Sequence, residues 1–115
     1  MLERDFQKNL IAFAKALGYM VHHDKPAMNS KGDWLTHGAG HPGFPDLVLL
    51  HPHTGVLIIA ELKSTKGKLR TSQENWLQAF NLAGIANYVW RPQDLIQAKR
   101  VLEHGARQRW DYNYN

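Results

Sequence analysis

"GFPDLVLLHPHTGVLIIAELK", residues 43–63, reads as two apolar strands joined by a turn. "DLVLL" (46–50) and "VLIIAELK" (56–63) are continuous apolar runs of strand length, and "HPHTG" between them carries turn residues. The pair is predicted to form an antiparallel hairpin. Yet Asp46 stands at one end, and Glu61 and Lys63 at the other. Side chains alternate along a strand, so Glu61 and Lys63 share a face with Leu57 and Ile59, while Val56, Ile58, Ala60 and Leu62 line the other. Both faces are apolar, so both are expected to be covered. An unpaired carboxylate there costs several kcal/mol or takes up a proton.

Hairpin register suggests what holds the charge. A loop centred between His53 and Thr54 sets Leu50 opposite Leu57, Val48 opposite Ile59, and Asp46 opposite Glu61. Directly opposed residues have Cβ atoms roughly 4.5–5.5 Å apart. Carboxylates at that distance repel unless a cation or a proton lies between them, and hard divalent cations such as Mg²⁺ take oxygen ligands of this kind. A slip of one residue would turn Asp46 to the other face. From these three residues alone, a buried salt bridge from Lys63 to Asp46 or Glu61 weighs as much as a metal site. Three further features favour the metal. Pro45 precedes Asp46 after a glycine-rich approach. "STKGKLR" (64–70) sets Lys66, Lys68 and Arg70 beside the carboxylates, as phosphate binding requires. Gln73 shares a helical face with Trp76, Leu77 and Phe80.

Working outward, Leu2, Phe6, Leu10, Phe13 and Leu17 repeat at helical spacing and Gly18 stops them, which predicts a helix over 2–17. "YMVHH" (19–23) reads as a strand. The segment 24–45 has no clear periodicity, and a connection of that length is functional or mobile. Thr71 opens a helix with Glu74 completing a capping box and Gly84 as its stop. "IANYVW" (85–90) is a strand, and "PQDLIQAKRVLEHG" (92–105) a short helix with Gly105 after it. The remaining tail shows no pattern. The order α-β-β-β-α-β-α predicts one α/β domain over 1–115, a mixed sheet flanked by helices, with residues 105–115 unassigned.

The composition sets outer limits. The chain has 115 residues, 43% hydrophobic and 21% charged, which suits one domain with one core. No apolar run approaches the roughly 20 residues of a membrane span, and the charged, amphipathic N-terminus is unlike a signal peptide. The absence of cysteine excludes disulfides and thiolate metal sites, and fits a cytoplasmic location. The formal charge of +4 favours a polyanionic partner, most often nucleic acid, although many proteins carry such a charge and bind none.

Pro45-Asp46, then fourteen residues, then Glu61-Leu62-Lys63 resembles the PD-(D/E)xK nuclease signature. "HPGFPDLVLL", "IAELKSTKGKLRTSQENWL" and "NLAGIANYVWRPQD" resemble the virus-type replication–repair nuclease family, VRR-NUC, over roughly residues 2–94. The resemblance implies a restriction-endonuclease-like core and Mg²⁺- or Mn²⁺-dependent hydrolysis of DNA. It implies that Asp46 and Glu61 hold the metal, with the Leu62 carbonyl as third ligand, while Lys63 and Gln73 act on the attacking water or the phosphate, Gln73 through the water or through Lys63. It also matches Glu3 to the family's helix glutamate. By position alone, Glu3 is more simply a first-turn residue complementing the helix dipole.

Stand-alone proteins similar to this one act on branched DNA, particularly four-way junctions, and a phage origin fits the same resemblance. A junction is cut on two symmetric strands, so a homodimer is expected, with Trp110, Tyr112 and Tyr114 of the tail as interface candidates. Lys25, Lys31, His37 and His41 are candidate DNA-backbone contacts, and Trp34 a candidate for stacking. Trp76 and Phe80 read as core. The histidines lack zinc spacing and read mostly as surface or turn residues. No sequence-reading motif is evident, which favours recognition of DNA shape. The other readings are a non-cleaving nucleic-acid-binding module on this fold and a restriction-type nuclease acting on linear duplex.

Overall fold

The computed structural model describes residues 1–24 and 39–108, together with the backbone of 27–28 and 34–35. The first helix, α1 (Glu3–Ala16), buries Phe6, Leu10 and Ala14, spaced four apart on one face. It ends as expected at Gly18, whose φ of 95° suits glycine. The Gly18 and Tyr19 amides return to the carbonyls of Lys15 and Ala14, which closes the last turn.

Strand β1 (Met20–His23) follows, then a short ladder of β2 (Ala27–Met28) and β3 (Trp34–Leu35) inside the segment that shows no clear periodicity in sequence. Next come β4 (Leu47–Leu50), β5 (Leu57–Leu62), α2 (Thr71–Leu82), β6 (Ala86–Trp90), a 3-10 turn (Pro92–Asp94) and α3 (Leu95–Arg107). The main sheet runs β1-β4-β5-β6. β4 is antiparallel to both β1 and β5, and β6 lies parallel to β5 through the α2 crossover. The hairpin register is the one read from the turn: Leu50 pairs with Leu57 and Val48 with Ile59.

α1 and α3 cover one face of the sheet, where Phe6, Leu10, Ala98 and Leu102 meet Leu47, Leu49, Ile58, Ala60 and Leu62. α2 reaches the opposite face, burying Gln73 and Leu77. β5 is thus enclosed on both sides, and every residue from Ile58 to Leu62 is buried.

Two helix ends differ from expectation. α2 is capped by Arg70 rather than Thr71, because the Gln73 side chain accepts the Arg70 amide at 2.8 Å. α3 runs through Gly105 to Arg107, so this glycine is not a stop and residues 105–107 are helical. The reason is packing. The Tyr19 hydroxyl donates to the Leu102 carbonyl at 2.8 Å, and a Cβ on Gly105 would collide with that hydroxyl. Overpacking of this kind costs about 1–3 kcal/mol. Gly105→Ala should destabilise the protein by that amount in denaturant unfolding, and by less in a Tyr19→Phe background where the obstructing oxygen is gone. Equal costs in both backgrounds would refute the steric account.

Candidate active site

The ends of the two central strands, β4 and β5, meet at one end of the sheet. The β4–β5 register continues past Leu47 and Ala60 to bring Asp46 against Glu61, and the Leu62 amide donates to Asp46 Oδ2 at 2.8 Å. Lys63 Nζ lies 3.7 Å from Glu61 Oε2. The same oxygen accepts from Gln73 Nε2 at 2.7 Å. Glu61 is only 2% exposed, and its second oxygen, Oε1, is buried with no hydrogen-bond donor. Asp46, Glu61, Lys63 and Gln73 therefore form one constellation.

Gln73 has a more definite place than its sequence suggested. Its amide oxygen holds the Arg70 amide and its nitrogen holds Glu61. These two bonds fix the Glu61 carboxylate against the start of α2, and the amide keeps a second N–H. Glu3 is exposed in the first turn of α1. Among the described residues no group of three or more His, Asp or Glu side chains that could hold a metal is gathered, and a first-turn glutamate also complements the helix dipole.

Burial is the main influence on both carboxyls. It raises the pKa of Asp46, against the opposing pull of the Leu62 amide and of the charges on His23 and Lys63. It raises Glu61 further, to about 7, aided by the negative charge of Asp46 and only partly offset by Lys63. Without a cation the pair keeps a proton near neutrality. Two hard oxygen donors, one of them unpartnered, suit a divalent ion in place of that proton.

Loops on either side hold the pair in position. Gly43 has a φ of 89°, and a Cβ there would sit 2.5 Å from the Ser72 carbonyl carbon and 2.8 Å from the Gln73 nitrogen. The approach to Asp46 thus lies directly against the first turn of α2. The Trp76 indole donates to the Pro42 carbonyl at 2.9 Å, and Phe44 packs edge-on against Trp76 at 5.0 Å. Trp76 and Phe80 are half-buried and Phe44 is exposed, so these rings form a surface cluster, not the interior expected of them.

Lys66, Lys68 and Arg70 are exposed on the loop after Lys63. His41 is exposed on a cleft of about 360 Å³ shared with Ser72, Asn75 and Trp76. Lys25, Lys31, His37, the Trp34 side chain, Trp110, Tyr112 and Tyr114 lie outside the described residues.

Three residues escaped the sequence reading. His23 ends β1 opposite Leu47, beside Asp46; only the β1–β4 register could have placed it there. Arg91 donates to the carbonyls of Ser64 and Gly67 at 2.8 and 2.5 Å, clasping the basic loop. His51 is buried, and its Nε2 lies 2.8 Å from the Leu17 carbonyl. With Nδ1 accepting the His53 and Thr54 amides, its Nε2 is the donor, which makes it a structural residue of the turn.

A mixed sheet whose adjoining strand ends present Asp46 opposite Glu61 and Lys63 agrees with a nuclease of the PD-(D/E)xK type, the class that the family match supports. The VRR-NUC domain model matches residues 21–94, well over half of the chain, and the chain belongs to that family. A solved structure described as a VRR_NUC domain matches with a TM-score of 0.61 and 24% identity, covering 89% of this chain and 95% of that one, which speaks for the fold. No curated protein matches. Nucleases of this family are generally metal-dependent, and a nuclease domain implies DNA as substrate.

The raised carboxyl pKa has a consequence for stability. Glu61 releases its proton at a higher pH folded than unfolded, so the folded state holds more protons between about pH 4.5 and 7. Stability contributed below that window is lost as pH rises through it, by on the order of 3 kcal/mol. In chelator, denaturant unfolding should show this loss between pH 5 and 8, and Glu61→Gln should shrink it to the smaller part from Asp46. A pH-independent wild-type stability would contradict the assignment.

Proposed function

We propose that this chain is a divalent-cation-dependent DNA endonuclease that hydrolyses phosphodiester bonds in branched DNA, four-way junctions above all, and acts as a homodimer. The observation that carries this reading is the buried, donor-less Glu61 Oε1 beside Asp46, with Lys63 in the same constellation. Asp46, Glu61 and the Leu62 carbonyl would hold Mg²⁺ or Mn²⁺. The cation's chemistry there is to polarise the scissile phosphate and acidify a water.

The chain's own residues do the rest. Asp46 and Glu61 are held by the Leu62 amide and by Gln73, so their oxygens are in place before substrate arrives. Lys63 offsets the negative charge on the non-bridging phosphoryl oxygens as the water oxygen bonds to phosphorus and the bridging oxygen departs with a proton. Lys66, Lys68, Arg70 and His41, with Lys25, Lys31 and His37, supply contacts to the sugar–phosphate chain. The sequence has no evident base-reading motif, which favours recognition of DNA shape. Twofold symmetry would provide a second centre for the second strand of a junction.

The test is cleavage of a four-way junction and of linear duplex with magnesium, manganese or chelator. Wild type should cut the junction only with metal, and Asp46→Ala and Glu61→Ala should each reduce the rate at least about a hundredfold, several kcal/mol of transition-state stabilisation. Tight binding without cleavage under either metal would indicate a binding module. Sequence-dependent cutting of linear duplex would indicate a restriction-type enzyme. Sedimentation showing only monomer at micromolar concentration would count against the homodimer.

A further inference from the structure

The outward face of α1 carries a feature that the catalytic constellation does not use. A cleft of about 300 Å³ runs along the helix, lined by Arg4, Gln7, Lys8, Ile11, Lys15 and His23 among others. Arg4, Lys8 and Lys15 are all the cations that α1 possesses, and all three line this cleft; its carboxylates, Glu3 and Asp5, do not. At 3.6 residues per turn the three cations fall within about 40° of one another. A charged face opposite a buried stripe is ordinarily just solvated. Here two further facts apply: the signs are segregated, and the cleft reaches His23 at the end of β1, opposite Leu47 and next to Asp24, whose amide donates to the Asp46 carbonyl at 2.9 Å.

We infer that this face of α1 holds the phosphodiester backbone of one duplex arm as it leaves the active centre, a surface separate from the basic loop at residues 64–70. Three cations aligned along one helix, with no carboxylate among the lining residues, complement a polyanion of regular charge spacing. Arg4 to Lys15 spans about 16 Å of helix axis, which matches about five nucleotides of one strand at 3.4 Å each. Gln7 adds a neutral donor between them. The contact reads no base, so it adds affinity and orientation without sequence preference. This inference rests on the DNA-nuclease reading and extends it to a second side of the molecule.

The experiment is a salt series of binding to a long-armed four-way junction in chelator, read by fluorescence anisotropy, comparing wild type with Arg4→Ala/Lys8→Ala/Lys15→Ala. Alanine at exposed helix sites favours the helix, and thermal melting verifies that the variant is folded. The triple variant should bind about tenfold or more weakly at low salt, and its slope of log affinity against log salt should fall by up to about 2.7, roughly 0.9 per lost phosphate contact. Lys8→Arg/Lys15→Arg should retain wild-type affinity. Arg100→Ala/Arg107→Ala, which removes charge from α3, should leave the slope unaltered. A triple variant with wild-type slope and affinity overturns the α1 surface while leaving the nuclease reading intact, provided wild type binds and cuts. Wild type that does not bind DNA at all overturns both.

Discussion

Asp46 and Glu61 meet because one hairpin has one register, and everything chemical in this protein follows from that pairing. Leu50 against Leu57 and Val48 against Ile59 set the alignment, and β5 is enclosed by helices on both faces. A slip by one residue would expose a full set of buried side chains and send Asp46 to the other side of the sheet. The core thus acts as the clamp of the site. Its hydrophobic residues decide where two carboxyl groups sit, and those groups are then trimmed locally by the Leu62 amide and the Gln73 side chain.

The surrounding loops repeat this economy of rigid anchors. The Gly43 turn lies against the α2 backbone, and Trp76 ties Pro42 to the same helix. The strand that delivers Asp46 and the helix that delivers Gln73 are therefore tied directly to each other. On the other side, Arg91 holds two carbonyls of the loop that bears Lys66, Lys68 and Arg70. An arginine spent on backbone carbonyls contributes no phosphate contact of its own; it reduces the freedom of three cations that can.

Much of this was legible in the sequence where local pattern and chemistry coincide. The apolar runs around "HPHTG" and the length of the turn sufficed for the hairpin and its register, and so for the Asp46–Glu61 pair. What stayed hidden depended on contacts between distant segments. Gly105 reads as a stop because glycine commonly ends helices; only the Tyr19 hydroxyl, 86 positions earlier, explains it inside one. Gln73 shows its helical face in the sequence but not that both ends of its amide are engaged. Glu3 matched a family position, yet helix spacing alone could not say whether the first turn of α1 reaches the carboxyl pair. His23 required a strand pairing across the 23 residues between β1 and β4.

The energetics of the pair bear on what the fold is for. A domain of this size has a net stability of about 5–15 kcal/mol, and a buried charge lacking a full set of partners costs several of these. An apolar residue at position 61, flanked by Ala60 and Leu62, would pack without that penalty. A scaffold serving only to present a basic surface gains nothing from a carboxylate whose second oxygen meets no donor. Lys63 and Gln73 both address Oε2, which leaves Oε1 beside a second acid in a setting that raises both pKa values. Such an arrangement is costly with both carboxyls ionised, and a divalent cation in place of the retained proton would offset that cost. The instability is local, and it falls at the end of the central strands, where the basic loop and the cation-lined face of α1 would bring a phosphodiester.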